Sequence, residues 1–315
     1  MSLVKPNDGR SGLLYRGRFA PSPTGPLHFG SLVAAVGSYL DARASDGEWL
    51  LRIEDVDQRR TVPGAADGIL RTLEGFGFEW DGEVMVQSRR LDVYHAAIAR
   101  LQLDGEVYPC ACSRREIAAC SPPPAADGGL LYPGTCRPGL AEGRAARAWR
   151  MRVPDQEISF RDRVQGRVRQ NLQNAVGDFI LLRADGQFAY QLAVVVDDAA
   201  QGVTAVVRGA DLLDSTPRQI WLQQRLALAR PSYAYLPVVT NAAGEKLSKQ
   251  TQARAVDTSA GSVVLAAALH FLGHYPPQDV RNGRLVDLWH WAIAAWSIGR
   301  VPARRGVDPD QCLPP

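Results

Sequence analysis

The chain has 315 residues, a formal net charge of +3, and 46% hydrophobic and 22% charged residues, which excludes a disordered, fibrous or polybasic chain and leaves an ordinary globular protein of two or three domains. The opening MSLVKPNDGRSG lacks the apolar core of a signal peptide, and the late apolar stretches near 263–272 and 288–298 are too short to cross a bilayer. A cytoplasmic location and no membrane partner are expected.

In chain order, LLYRGRFA (13–20) reads as a strand. The turn that follows, within FAPSPTGPLHFGS, holds three prolines, two glycines and one histidine, and it leads into SLVAAVGSYLDARA, whose apolar spacing is helical with Ser31 as its expected N-cap. Strand, stiff turn and helix N-terminus together make an anion cradle, although neither common glycine-rich phosphate fingerprint is present. Strand-like WLLRIED and VMVQS then alternate with helix-like AADGILRTLEGFG and LDVYHAAIARLQL, predicting βαβ units around a parallel sheet over residues 13–107. From Tyr108 the texture turns to Cys, Pro and Gly, as in a small inserted module, and AWRMRV, ISFRDRVQGRVRQN and DFILLRADGQFAYQLA follow as expected antiparallel strands with a turn at Asp185-Gly186. The insertion is placed at 108–193. The parallel sheet resumes over 194–240, and 241–315 is expected to be mostly helical after the loop GEKLSKQ. The fold class is α/β.

The chemistry concentrates in PLHFGS and GEKLSKQ. Of 36 basic residues only Lys5, Lys246 and Lys249 are lysines, and two of these share KLSKQ. Two lysines on a loop at the ligand-binding end of a doubly wound sheet can neutralise a triphosphate as charge builds at phosphorus. PSPTGPLHFGS and KLSKQ resemble the HIGH and KMSKS signatures of the class I aminoacyl-tRNA synthetases. The spelling is that of the glutamyl branch, which GRFAPS, RIEDVD, YQLAVVVDD and RGADLLDSTPRQ also match, from about Leu13 to Gln250. The resemblance implies a Rossmann-type catalytic domain in which His28, Lys246 and Lys249 are catalytic. It also implies that His28, Gly30 and Lys249 serve ATP, with Mg2+ accompanying the nucleotide.

Glutamate carries two carboxylates and one ammonium, so its pocket needs bidentate cations and one acid. Arg18 and Arg208 are the candidates for the carboxylates, Glu54 for the ammonium and Tyr190 for the pocket wall, and the resemblance adds Phe19, Ala20, Pro21 and Ser22. Some positions depart from the branch's pattern. Ser31 replaces the second His of HIGH and Gln250 the final basic residue of KMSKS. Val194, Asp211 and Leu212 stand where tRNA-charging glutamyl enzymes usually carry Asn, Glu and Trp.

Four of five cysteines (Cys110, Cys112, Cys120 and Cys136) fall between 110 and 136. In a reducing compartment disulfides are disfavoured, and three thiolates with one further group can close a tetrahedral zinc site that staples a module too small for its own core. Reduced structural cysteines are the plain alternative. The resemblance implies Cys110, Cys112, Tyr132 and Cys136 as ligands of one structural Zn2+, with Cys120 as the rival to Tyr132. His270 and His274, four residues apart with no third ligand nearby, read as a helix face. Arg161, Arg163, Arg167 and Arg169 alternate on the hairpin, as RNA-facing or simply solvated side chains.

After Lys249 only 66 residues remain, room for a stem-contact-like helical region but not for the anticodon-binding domain of tRNA-charging relatives. Within the glutamyl branch this shape resembles a truncated paralogue group. Membership would imply tRNA-independent activation of glutamate and its transfer to the queuosine base at the wobble position of tRNA(Asp), with the anticodon stem-loop as partner and a monomeric enzyme. A minimal enzyme charging an acceptor end and a non-catalytic RNA-binding relic are the competing readings.

Overall fold

A computed structural model describes residues 14–120, 123–125, 128–241, 244–246 and 254–309. The expected βαβ opening is present as β1 (Arg16–Phe19), α1 (Phe29–Arg43), β2 (Glu48–Ile53), α2 (Ala65–Gly75), β3 (Met85–Val86) and α3 (Leu91–Leu103). The insertion begins with β4 (Val107–Cys110), α4 (Arg114–Ala119) and β5 (Ala148–Met151). It is followed by β6 (Glu157–Asp162), β7 (Gly166–Asn171), α5 (Leu172–Ala175) and β8 (Ile180–Leu182). The chain then runs through α6 (Tyr190–Ala200), β9 (Ala205–Gly209), α7 (Thr216–Arg225), β10 (Ser232–Leu236) and β11 (Val238–Val239). It ends with α8 (Gly261–Phe271), α9 (Gln278–Arg281), α10 (Leu285–Ala295) and β12 (Gly306–Val307).

β1, β2 and β3 are parallel, as are β9 and β10 over five residues. β1 lies against β9, and their starts are joined where the Thr204 N–H donates to Arg16 O at 2.9 Å. The chain therefore steps outward from β1 to β3 and later returns on the other flank of β1. That reversal opens a crevice between the carboxyl ends of β1 and β9, where doubly wound sheets bind their ligands. The extended order is β3-β2-β1-β9-β10-β6-β7. Two layers of apolar side chains cover the two faces. α1, α8 and α10 bring Leu32, Val36, Leu40, Leu269 and Leu288 to one. α3, α6 and α7 bring Ile98, Leu192, Val195 and Leu222 to the other. At Gly37 an added Cβ would stand 2.5 Å from Leu236 Cδ1, so α1 lies so close to the end of β10 that the helix accepts a glycine's propensity cost.

Four differences from the sequence expectation have physical causes. α1 begins at Phe29 and its N-cap is His28, whose Nδ1 accepts the Ser31 N–H at 3.3 Å; Ser31 itself is inside the helix. The end of the expected strand segment DFILLRADGQFAYQLA, from Tyr190, instead opens α6, because Leu192 to Asp198 are buried on every side and the helix's acids find arginine partners. What remains of the second strand is one bridge, Leu182 with Phe188. The β6–β7 hairpin extends the main sheet beyond β10, whereas β4, β5 and β8 form the small antiparallel sheet of the insertion. β12 returns from the C-terminal region to pair in parallel with β11. Of the two histidines expected on one helix face, only His270 lies in α8; His274 follows the helix end, fully buried, bonding Leu272 O through Nδ1 and accepting the Ser297 N–H through Nε2 at 3.0 Å.

The buried carboxylate of Asp41 in α1 ties distant segments together. It accepts the Tyr15 hydroxyl, both guanidinium arms of Arg163 at 2.6 and 2.9 Å, and the Trp296 indole N–H at 3.2 Å. Asp41→Ala strands the Arg163 cation. It is expected to cost about 3 kcal/mol, as when one partner of a buried pair is removed. Urea unfolding of the variant against the wild type checks this, and a midpoint unchanged from wild type overturns it.

Candidate functional site

A cleft of about 660 Å³ opens at the β1/β9 crevice. The structure brings Arg18 through Ser22, His28, Gly30, Glu54, Tyr190, Arg208 and Lys246 to its walls. Lys249 and Gln250 lie outside the described residues. Asp211 and Leu212 also line the cleft, but Val194 packs in the apolar core with 1% exposure and is not among the lining residues.

Each charged wall residue is held by a partner from another element. Arg18, at the end of β1, donates through Nε to Asp198 of α6 at 3.1 Å. Arg52 of β2, wholly buried, donates to the same Asp198 oxygen at 2.7 Å, to Glu54 at 3.2 Å and to Gln201 at 2.7 Å. Burial alone would raise the Asp198 carboxyl, but Arg18 and Arg52 together hold it below its usual value. For Glu54 burial prevails over the same two cations and pushes its carboxyl up. Counting Arg18, Arg52 and Arg208 against Glu54 and Asp198 leaves 3 − 2 = +1, so the pocket favours a ligand with one net negative charge.

Arg208, at the end of β9, has most of its donors engaged. Nε and Nη2 donate to Tyr235 Oη at 2.9 and 2.5 Å, Nη2 also to Gln219 Oε1 at 2.6 Å, and Nη1 to Tyr190 Oη at 2.9 Å. Four of five N–H groups are thereby used, and the fifth, on Nη1, is left for a ligand. Arg18 differs: both of its terminal nitrogens are without partners among the described residues, so it is the fork that can donate to both oxygens of a carboxylate end-on. Burial pushes the Tyr190 hydroxyl up to about 12, which keeps it a neutral donor.

On the opposite wall the turn of prolines sets His28 at the mouth of α1, with Ser31 Oγ 3.1 Å from His28 Nε2. A Cβ on Gly30 would stand 3.3 Å from the His28 ring, so glycine is what lets the imidazole lie across this helix end. Lys246 pairs with Asp211 at 2.5 Å. The segment carrying it leaves the wall at Thr240, whose N–H donates to Val307 O, and rejoins it where Ala255 bridges His28 and the Val256 N–H donates to Leu27 O.

Sequence reasoning missed Asp198, Arg52, Tyr235 and Gln219, the residues that hold the lining side chains in place. One signal was available. Two adjacent acids in the apolar run VVVDDAA must be buried, and a buried acid requires a cation.

The second constellation lies in the insertion. Cys110, Cys112 and Cys136 have their Sγ atoms within 4.8 Å of one another. Tyr132 Oη is 3.5 Å from Cys110 Sγ and 3.7 Å from Cys112 Sγ, and it also accepts the Cys136 N–H at 2.8 Å. Tetrahedral bonds of ~2.3 Å place sulfurs about 3.8 Å apart, so these donors fit a zinc ion. Cys120 is exposed and its thiol donates to Glu116 O at 3.4 Å, leaving Tyr132 as the fourth group at the cluster. A small core of Tyr108, Ala111 and Ile117 surrounds it.

Residues 15–263 match the catalytic domain of the class I tRNA synthetases (E and Q). The chain is 63% identical over 288 residues to a glutamyl-Q tRNA(Asp) synthetase of Dechloromonas aromatica (strain RCB), covering 91% of this chain and 96% of that one. It is 61% identical over 295 residues to a protein of the same name from Chromobacterium violaceum, covering 93% and 97%. In fold it is similar to a glutamate tRNA ligase of Elizabethkingia meningosepticum solved with its amino acid, with a TM-score of 0.75 at 24% identity. The match takes in 92% of this chain and spans about two thirds (66%) of that one. Among the described residues no helix is long and apolar enough to cross a membrane.

Because the Asp198 carboxyl is held low, its stabilising charge is fully present above its ordinary value of 3.8 and is lost as pH falls below it. Asp198→Asn is expected to lose about 3 kcal/mol at pH 7 and much less of that gap at acid pH. Urea unfolding at pH 7 and pH 3 measures both gaps; gaps of equal size contradict the pairing.

Proposed function

This chain belongs to the glutamyl-Q tRNA(Asp) synthetases within the class I tRNA synthetases (E and Q), and from that membership we propose that it activates glutamate with ATP in the absence of RNA and transfers the glutamyl group to queuosine of tRNA(Asp). The observation that carries the reading is the convergence of Arg18, Glu54 and Arg208 with His28, Gly30 and Lys246 in one cleft, where the cluster of Arg18, Arg52, Arg208, Glu54 and Asp198 carries a net +1.

Glutamate at neutral pH carries −1 and meets that charge. Arg18 offers its fork to one carboxylate and Arg208 its remaining N–H to the other, while ionised Glu54 receives the ammonium. The activated carboxylate oxygen attacks the α-phosphorus of ATP. The new P–O bond forms as the bond to the β-phosphate breaks, and pyrophosphate leaves. His28 and the N-terminal amides of α1 bind phosphate, and Lys246 and Lys249 oppose the charge that grows on the pentavalent phosphorus. A hydroxyl of queuosine's cyclopentene-diol then attacks the acyl carbon and AMP departs. Cys110, Cys112, Cys136 and Tyr132, none of which lines the cleft, would hold a structural zinc that fixes the insertion's fold, and Mg2+ would accompany the ATP phosphates.

Labelled glutamate is expected on tRNA(Asp) from queuosine-making cells and not on tRNA(Asp) lacking the base, and periodate cleavage of the diol abolishes acceptance. ATP–pyrophosphate exchange with glutamate should proceed without RNA. Strong charging of a tRNA(Glu) 3′ end, or exchange that requires tRNA, overturns the proposal.

Purified without chelators, the chain is expected to hold one zinc. Cys112→Ser should release it and unfold the insertion while glutamate-dependent exchange persists, and Tyr132→Phe should weaken retention. A zinc content near zero in the wild type contradicts the site.

A further inference from the structure

The edge hairpin β6–β7 carries charge that the catalytic cleft does not use. Ile158, Phe160 and Asp162 face inward, while Arg161, Arg167 and Arg169 are exposed. The register sets Arg161 directly opposite Arg167 and Ser159 opposite Arg169. Arg169 has Glu157 at 3.6 Å, and Arg163, in the turn, is bound to Asp41. Arg161 and Arg167 have no acid partner among the described residues. Beside the turn, the Arg304 carbonyl accepts Gln165 Nε2 at 3.0 Å, and the Arg304 side chain is exposed.

Directly opposed like charges destabilise a strand pair. Protecting an edge strand from aggregation needs charge but not an opposed pair. Two guanidiniums whose Cβ atoms are roughly 5 Å apart can converge on one phosphate, which removes the repulsion. Arg161 on β6 is two strands from β9 and Arg208, and Arg167 on β7 three, about 10 and 15 Å at ~4.8 Å per strand.

We propose that Arg161 and Arg167, with Arg304 beside them, clamp a backbone phosphate of the RNA whose modified nucleotide enters the cleft. The inference rests on the proposed function for its partner and adds the surface that grips it. The clamp reads charge and not base, so it holds tRNA(Asp) with or without queuosine.

Equilibrium binding of both tRNA(Asp) forms over a salt series compares the wild type with Arg161→Ala/Arg167→Ala. The expected result is a slope of log affinity against log salt shallower by roughly 0.8, from the loss of one phosphate contact at ~0.7–0.9, on both RNAs. Glutamate-dependent pyrophosphate exchange without RNA stays at the wild-type rate, and Arg161→Lys/Arg167→Lys restores most of the slope. An unchanged slope and affinity overturn the clamp, as does a wild type with no affinity for either RNA. A double variant that self-associates at the wild-type slope assigns the arginines to edge protection and overturns it too. Failure of the wild type to activate glutamate strikes the proposed function alone, because the slope is read without catalysis.

Discussion

The arrangement around Arg52 is the constraint from which the cleft follows. A guanidinium wholly removed from water is tolerated only where carboxylates meet it, and here Asp198 and Glu54 do so at 2.7 and 3.2 Å. Arg52 belongs to β2, Asp198 to α6 and Arg18 to β1, so one cluster of charge fixes two strands of the first half of the sheet against a helix that follows the insertion. Replacing the cluster with apolar side chains could leave the packing intact, but it would remove the fork and the acid that face the ligand. Its role is placement. The two faces of apolar packing supply the cohesion, and the ions decide which side chains end at the crevice.

The same logic explains what was legible in the sequence. Strand, proline turn and buried helix could be read from spacing and punctuation, and the line of motifs from GRFAPS to KLSKQ held the charged groups that face the cleft except Arg60. What could not be read was support. Tyr235 and Gln219 bind Arg208 from an adjacent strand and a following helix, 27 and 11 residues away, and no local pattern announces such pairings. α6 is instructive because its valines favour a strand. Burial on all sides, with two acids that need arginines at fixed positions, overrode that propensity. The β6–β7 hairpin was read correctly as a hairpin but placed with the insertion, since the contact of Asp162 with Tyr235 of β10 spans 73 residues.

The insertion shows a different economy. Its core is a handful of residues around Tyr132, whose ring lies 3.7 Å beneath the Arg150 guanidinium. The phenolic oxygen and three sulfurs meet where a larger domain would have placed leucines. So small a core buries little area of its own, whereas the doubly wound sheet next to it is held by two broad apolar layers.

The Lys246 segment is attached at both ends to the cleft it serves, through Thr240 to Val307 on one bank and through Ala255 and Val256 to the α1 turn on the other. With both anchors fixed, holding Lys246 at the cleft wall costs only a loop closure, and that cost grows slowly with the length between the anchors. Residues 305–307, far along the chain, thereby help to position a side chain of the cleft that they do not themselves line.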